Sequence, residues 1–456
     1  MDTSTEAGTL RRRVLAATCV SYVIVLLDTS IVNVALSSLA TAFDTHIAGL
    51  QWVVNAYTLM FASLLLTGGT LGDRWGARRV YLAGLLLFTL ASVLCAAAQS
   101  LPALVLGRVI QGVGAALLVP CSLKLIHHAN PDPARRARAI GLWAGLGGVA
   151  LAMGPLVGGA LIQWGGWRGV FLVNIPVCLF GIGMMCRPSG EAPRRPAERV
   201  DVQGQACAVV ALGASIGVLI EGPVMGWTAP QVMAGAMLAL SAWVGWGMIM
   251  RRHPHPMLPP SLFQNGIFTG STCVSMASAF VFYGLLFVMS LHYQQARGYT
   301  PLQAGLALFP MMGMVAVGSM SARRVATRYG AKWSMIGAFS AYAAGAIGLH
   351  ASMAGMAYAS SIVPMLAVGM ASGVISPMAT APALETVGAH RVGVAAAVLN
   401  AARQVGAALG VALFGAIVGT VHPYETGLRS ALILVAAVSI AAMWPWCLAL
   451  KPRHSA

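Results

Sequence analysis

Apolar residues run along the chain in long stretches, separated by short segments rich in Arg, Pro and Gly. A bilayer core needs roughly 20 consecutive apolar residues per helical crossing. The pattern predicts fourteen transmembrane helices, over 14–36, 48–70, 80–98, 102–125, 138–162, 168–186, 202–221, 229–250, 267–291, 303–322, 333–352, 357–378, 394–419 and 428–450. The first stretch follows Arg11, Arg12 and Arg13 as a signal peptide would. It is too long for one and holds Asp28 and Asn33, so it reads as a retained first helix.

Composition names the solvent. With 58% hydrophobic residues, 9% charged and a mean hydropathy of +0.78, 456 residues could not hide their apolar surface from water. The expected fold class is therefore an all-α polytopic membrane protein, with the lipid bilayer as its first partner. A net charge of +16 would also suit a nucleic-acid binder, so the location of the cations decides. Most of the 28 Lys and Arg fall in loops on one side, in the groups around Arg11, Arg74, Arg135, Arg194, Arg251, Arg323, Arg391 and Lys451, whereas Arg168, Arg297 and Arg429 fall on the other. Short basic loops stay in the cytoplasm. The charge is thus an orientation signal, which places the chain in a bacterial inner (plasma) membrane with both termini cytoplasmic and sets nucleic acid aside. The eight cysteines are scattered through apolar runs without a CxxC pair and read as small buried hydrophobes.

An internal repeat organises the helices. Arg74-Trp75-Gly76-Ala77-Arg78 follows the second span and Arg328-Tyr329-Gly330-Ala331-Lys332 the tenth. If each joins the second and third helices of a half, the chain divides into a six-helix bundle over 1–186, a cytoplasmic linker over 187–200, two inserted helices over 201–250, a second linker over 251–263 and a six-helix bundle over 264–456. Small-xxx-small pairs such as Gly141–Gly145 and Gly154–Gly158 suggest close helix contact.

The motifs carry a resemblance. Gly69-Thr-Leu-Gly-Asp73-Arg74-Trp-Gly76-Ala-Arg78-Arg79 resembles the signature loop of the major facilitator superfamily. Physically, Gly69 and Gly76 allow a tight turn, and Asp73 is placed to accept from helix N-terminal amides or from a cation across the gap between the halves, a latch that frees the halves when broken. The second copy has Thr327 where the acid stands, so the latch is expected on one side alone. In the fourth span, Arg108-x-x-Gln111-Gly112-x-Gly114 puts a cation inside hydrocarbon, where it must face the bundle interior and find a partner. The family resemblance links such an arginine to proton coupling. Gly148-x5-Gly154-Pro155-x-x-Gly158-Gly159, followed by Trp167-Arg168-x-x-Phe171-x-x-Asn174-x-Pro176, resembles the antiporter motif of the export branches and implies outward transport.

The first span, with Leu27-Asp28-Thr29-Ser30-Ile31-Val32-Asn33, resembles the first-helix motif of the fourteen-helix drug:proton antiporters, the branch of methylenomycin-resistance and multidrug exporters. Burial favours the protonated form of a carboxyl and a neighbouring cation the ionised form. An acid at Asp28 whose neighbours change between outward- and inward-facing states could load and release one proton per cycle, the role the resemblance implies. Its partner is open between Arg108 and Arg403, the sole charge of the thirteenth span, and the pair could equally be a permanent structural one. Asn33, Asn55, Tyr57, Gln111, Asn400 and Arg403 form the candidate substrate cavity, with His292, Tyr293 and Gln294 as further polar handles; Glu221 lies at the outer end of an inserted helix and ranks below Asp28.

No HExxH metal motif and no phosphate-binding P-loop occur, so neither an enzyme, a cofactor, a metal nor direct ATP drive is expected, and a proton gradient is the energy source. The expected function is proton-coupled efflux of drug-like or antibiotic small molecules by a monomer. The alternative is uptake or facilitated transport of a small metabolite on the same fold. One deep acid against Arg108 and Arg403 makes divalent cations poor substrates compared with neutral, anionic or monocationic amphipaths.

Overall fold

In lipid, backbone polar groups must be satisfied within the segment, which leaves helices as the form these apolar runs can take. The computed structural model describes residues 3–186, 201–252, 258–352, 357–388 and 391–450, and it holds helices and no strand among them. The first bundle contains α1 (Thr3–Phe43), α2 (Ile47–Trp75), α3 (Ala77–Ala97), α4 (Leu101–Ala129), α5 (Pro133–Gly165), the single turn α6 (Gly169–Leu172) and α7 (Asn174–Cys186). Next come α8 (Val202–Met225) and α9 (Pro230–Arg252), then α10 (Gly266–Leu291), α11 (Pro301–Ser352), α12 (Ala359–Glu385), α13 (Val392–Thr420) and α14 (Tyr424–Ala449). Polar caps start several of them: Asp132 accepts from the Arg135 amide and Asp201 from the Gly204 amide, each at 2.8 Å, and Asn265 from the Ile267 amide at 2.9 Å.

With α6 and α7 taken together as Gly169–Cys186, 13 helices among the described residues are long and apolar enough to cross a membrane. The difference from fourteen lies in α11, a helix of 52 residues that contains both predicted spans 303–322 and 333–352. Gly330 departs from helical geometry inside it, with φ 75° and ψ 158°. Its repeat counterpart Gly76, at φ 95°, separates α2 from α3. Glycine takes such a backbone without steric cost, so the two loop copies place the same residue at the same kind of break.

The predicted span 168–186 is present as Gly169–Cys186, with helical backbone angles through Val173. One further expectation changes. The predicted linker 251–263 is shortened, because Arg251 and Arg252 belong to α9 and Pro260–Gln264 forms a 3-10 turn with Leu262 buried. The linker 187–200 lies outside the described residues.

Large apolar side chains line the outside, among them Leu86, Leu90 and Leu94 on α3 and Met237, Leu240 and Val244 on α9, as a lipid-facing surface requires. Trp75 and Trp333 stand exposed beside the arginine clusters, and Trp164 and Trp227 at the opposite end, in the manner of interfacial aromatic belts. The end bearing the arginine clusters is called the basic end below, and the other the far end.

Glycines set the closest helix contacts. Carbonyl groups of Met276 and Phe280 on α10 occupy the places where side chains at Gly406 and Gly410 of α13 would go, and the Tyr57 carbonyl lies 2.5 Å from the Cβ position of Gly112. The inserted α8 is fastened to α2: Gln205 Nε2 donates to the Ser63 carbonyl at 2.7 Å, Thr67 to Gln205 Oε1 at 2.6 Å, and Trp52 Nε1 to Glu221 Oε1 at 2.7 Å. Against α13 the same helix is apolar, with Ile216 and Ile220 meeting Ala408 and Ala412. The cysteines are all free; Cys19, Cys95, Cys121 and Cys178 are buried as expected, whereas Cys186 is exposed.

Candidate functional site

Five helical elements of the first bundle converge on Asp28. The carboxylate is 0% exposed and its Oδ2 takes the Arg108 Nη1 at 2.5 Å, the guanidinium itself being 1% exposed. This settles the partner left open by sequence: Arg108 of α4. Arg108 Nε donates to the Val53 carbonyl at 3.1 Å, Nη1 also reaches Gln111 Oε1 at 2.8 Å, and the guanidinium carbon lies 4.3 Å from the centroid of the Tyr57 ring. Gln111 Nε2 donates to Ser92 of α3 at 2.8 Å, and Asn174 Nδ2 at the start of α7 donates to Asp28 Oδ1 at 3.1 Å. Desolvating two charges is expensive, and a pair with its remaining hydrogen bonds filled recovers most of that cost.

The first turns of the sixth predicted span are tied to this site. Arg168 donates to the carbonyls of Ala96 and Ala98 at the end of α3 and stacks on Trp167, Phe171 packs edge-on to Trp167, and Asn174 puts its amide on Asp28. Asn174 stood in the motif read after the fifth span but was not placed at this site, and Ser92 was not singled out. Asn174 carried a signal, being a lone amide in an apolar run; Ser92 carried none.

The signature segment is arranged differently from expectation. Gly69, Asp73 and Arg74 lie within α2, and Gly76 alone makes the turn. Asp73 pairs with Lys124 of α4 at 2.6 Å, inside the same bundle and not across the gap, and Lys124 also donates to the Gly69 carbonyl at 2.5 Å. Arg78 donates to the carbonyls of Met185 and Cys186 at 2.9–3.0 Å, capping α7. Thr327 in the second copy bonds only its own helix, through Arg324 O at 3.0 Å.

The glycine motif of α5 joins the bundles at the far end. A side chain at Gly154 would strike Ser30, one at Gly158 would lie 2.6 Å from Ile31, and one at Gly159 would lie 2.6 Å from the Pro301 carbonyl; in return the Pro155 carbonyl fills the place of a side chain at Gly305. Beside this contact Ser290 of α10 donates to the Asn33 carbonyl at 2.7 Å, and Gln51 Nε2 donates to the Val411 and Ala412 carbonyls of α13 at 2.9 and 2.5 Å. Toward the basic end the α5 stripe continues through Gly148, Gly145 and Gly141, at helical spacing on the face that carries Pro155 and Gly159. Nothing lies within 4 Å of their Cβ positions. The expected close contact at Gly141–Gly145 is therefore absent, while that at Gly154–Gly158 is present.

The candidate cavity residues do not form one group. Tyr57 and Gln111 belong to the Asp28 network; Asn33 bonds its own helix at Thr29 and Ser30; Asn55 is fully buried with neither side-chain atom partnered. Arg403 donates to Ser376 of α12 at 2.9 Å, and Asn400 is partly accessible one turn away. His292, Tyr293 and Gln294 sit in a buried π-helical turn at the end of α10.

Residues 18–411 match the Major Facilitator Superfamily. The chain belongs to this superfamily. Relatives in the superfamily include the methylenomycin A resistance protein of Bacillus subtilis (strain 168), 34% identical over 95% of this chain and 93% of its own, and the methylenomycin A resistance protein of Streptomyces coelicolor, 34% identical over 96% and 93%. The tetracenomycin C resistance and export protein of Streptomyces glaucescens is 32% identical over 92% of this chain and 79% of its own. Among solved structures, the inward-facing, unoccupied bacterial homologue of the lysosomal transporter Spinster aligns with TM-score 0.69 at 17% identity over 96% and 97% of the chains, and the D-xylose-proton symporter with TM-score 0.67 at 17% identity over 95% and 96%. These likenesses bear out the major facilitator fold and a membrane transporter whose relatives are resistance and export proteins.

Proposed function

We propose that the protein exports drug-like or antibiotic small molecules across a bacterial inner membrane in exchange for protons, by alternating access of two six-helix bundles. The observation that carries this reading is the buried Asp28–Arg108 pair, held wholly within one bundle. Such a site can change charge without dismantling the helices around it. Protonating Asp28 releases the guanidinium from its counter-ion, and the released arginine must find other partners, which couples proton occupancy to helix position. The resistance and export roles named for the relatives support the outward direction.

The topology is six plus two plus six crossings. At 1.5 Å per residue α11 would extend about 78 Å, more than twice the roughly 30 Å hydrocarbon core, so it crosses twice and turns at Gly330. An even number of crossings puts both termini with the basic end in the cytoplasm. The far-end contacts at Pro155–Gly305, Asn33–Ser290 and Gln51–Val411, together with the open α5 stripe below them, support a state open toward the cytoplasm.

The test is uptake of a fluorescent amphipath by everted vesicles from a pump-deficient bacterium, with and without a pH gradient. Wild type is expected to accumulate the dye when the lumen is acidic, and Asp28→Asn to lose the gradient dependence. Equal, gradient-independent transport by both proteins would replace antiport with facilitated diffusion.

A further inference from the structure

Arg403 is charged, lies near the middle of α13, and has no acid to answer it. Its Nη1 bonds the Ser376 hydroxyl at 2.9 Å and its Nε has no hydrogen-bond partner. Arg403 takes no part in the Asp28–Arg108 and Asp73–Lys124 pairs, and its own contacts include no carboxylate. A guanidinium at this depth calls for an anion.

The surroundings are aromatic and come from both bundles. The hydroxyls of Tyr22 on α1 and Tyr283 on α10 lie within electrostatic range of the guanidinium. Tyr22 stacks on Trp143 of α5 with ring centroids 3.6 Å and planes 14° apart. Arg403, Ser376, Tyr22 and Tyr283 are each partly accessible, so the group is not sealed in packed core.

We infer that Arg403 is the anion-recognising residue of the substrate site, and that the site takes small amphipaths bearing a single carboxylate on a flat apolar body. The carboxylate engages the free edge of the guanidinium, whose planar fork suits two oxygens. The apolar body lies against the partly accessible Tyr22 ring, which the buried Trp143 backs. A dication meets an unscreened positive charge here and is rejected. This assignment rests on the export reading for the use of the site, but it is tested by binding alone, which depends on neither direction nor proton coupling.

The experiment measures equilibrium binding of tritiated 2-naphthylacetic acid and of 2-naphthylacetamide, a neutral probe of the same size, to the purified full-length protein in nanodiscs at pH 7. Wild type is expected to bind the acid at least about tenfold more tightly than the amide. Arg403→Gln removes that preference, weakening the acid by about tenfold or more while the amide stays within about twofold, and Arg403→Lys keeps part of it. Wild type binding the amide as well as the acid, or binding neither, overturns the inference and needs no variant to do so. Equal weakening of both probes by Arg403→Gln overturns it too. If vesicles show no export while binding keeps the acid preference, the export reading fails and the site assignment stands.

Discussion

Asn174 grips the Asp28 carboxylate on the oxygen that Arg108 leaves free: its Nδ2 lies 3.1 Å from Oδ1, while the guanidinium holds Oδ2 at 2.5 Å. Both oxygens are thereby occupied without any contribution from the second bundle.

Removing one member of this group is expected to cost more than removing both charges. Arg108→Gln leaves an unpaired buried carboxylate and should lower stability by about 3–5 kcal/mol. The double variant Asp28→Asn, Arg108→Gln should regain most of that loss, because two neutral amides can hydrogen-bond where two charges stood. Thermal unfolding of the purified variants in detergent checks the order, and a double variant as unstable as Arg108→Gln would mean that the charges do not act as a pair.

Cost in lipid made part of this site legible from sequence. A lone arginine and a lone aspartate in apolar runs are expensive enough to announce themselves, and Asp28 and Arg108 do meet. What stayed hidden were partners of little cost, such as Ser92, and geometry that spacing does not encode. Gly141–Gly145 and Gly154–Gly158 have the same spacing on one helix, yet only the second pair packs tightly, because it lies on the face turned to Ser30 and Ile31 of α1 while the first lies on the face of Pro155 and Gly159. The Asp73 partner was missed for a related reason: Lys124 sits near the end of a long helix, and only the packing of α4 on α2 brings it beside Asp73. Gly76 and Gly330 of the two loop copies do share a positive φ, a backbone demand that glycine meets locally.

Within the signature segment, Arg78 is expected to matter more for stability than Asp73. The Asp73–Lys124 pair is 47% and 31% exposed, and an ion pair so open to solvent contributes up to about 1 kcal/mol. Arg78 makes charged hydrogen bonds to two carbonyls at the end of α7, and Arg78→Ala should cost about 1.5–3 kcal/mol. Thermal unfolding of Asp73→Asn and Arg78→Ala separates the two, and a larger loss in Asp73→Asn would contradict the assignment.

The far-end contact between α5 and α11 is expected to act as a seal. Because the Pro155 carbonyl occupies the space of a side chain at Gly305, Gly305→Leu must push the bundles apart there. A cysteine introduced at Ser290, which is buried beside this contact, should then be labelled several-fold faster by a membrane-impermeant maleimide added from outside. Unchanged labelling would place the seal elsewhere.

The inserted helix α8 is fastened to α2 by three polar bonds at two levels, Gln205 and Glu221, and meets α13 through apolar side chains. Directional bonds fix one neighbour, whereas an apolar interface permits sliding. The inserted pair is therefore expected to travel with the first bundle while α13 slips past it. Cross-linking cysteines introduced at Gly213 and Leu59, which face each other across α8 and α2 with the Gly213 Cβ position 3.4 Å from Leu59 Cδ2, should leave transport largely intact. Cross-linking cysteines at Ile216 and Ala412 should arrest it, and transport should return when the link is reduced. The opposite pattern, with arrest by the α8–α2 link alone, would assign the inserted helices to the second bundle.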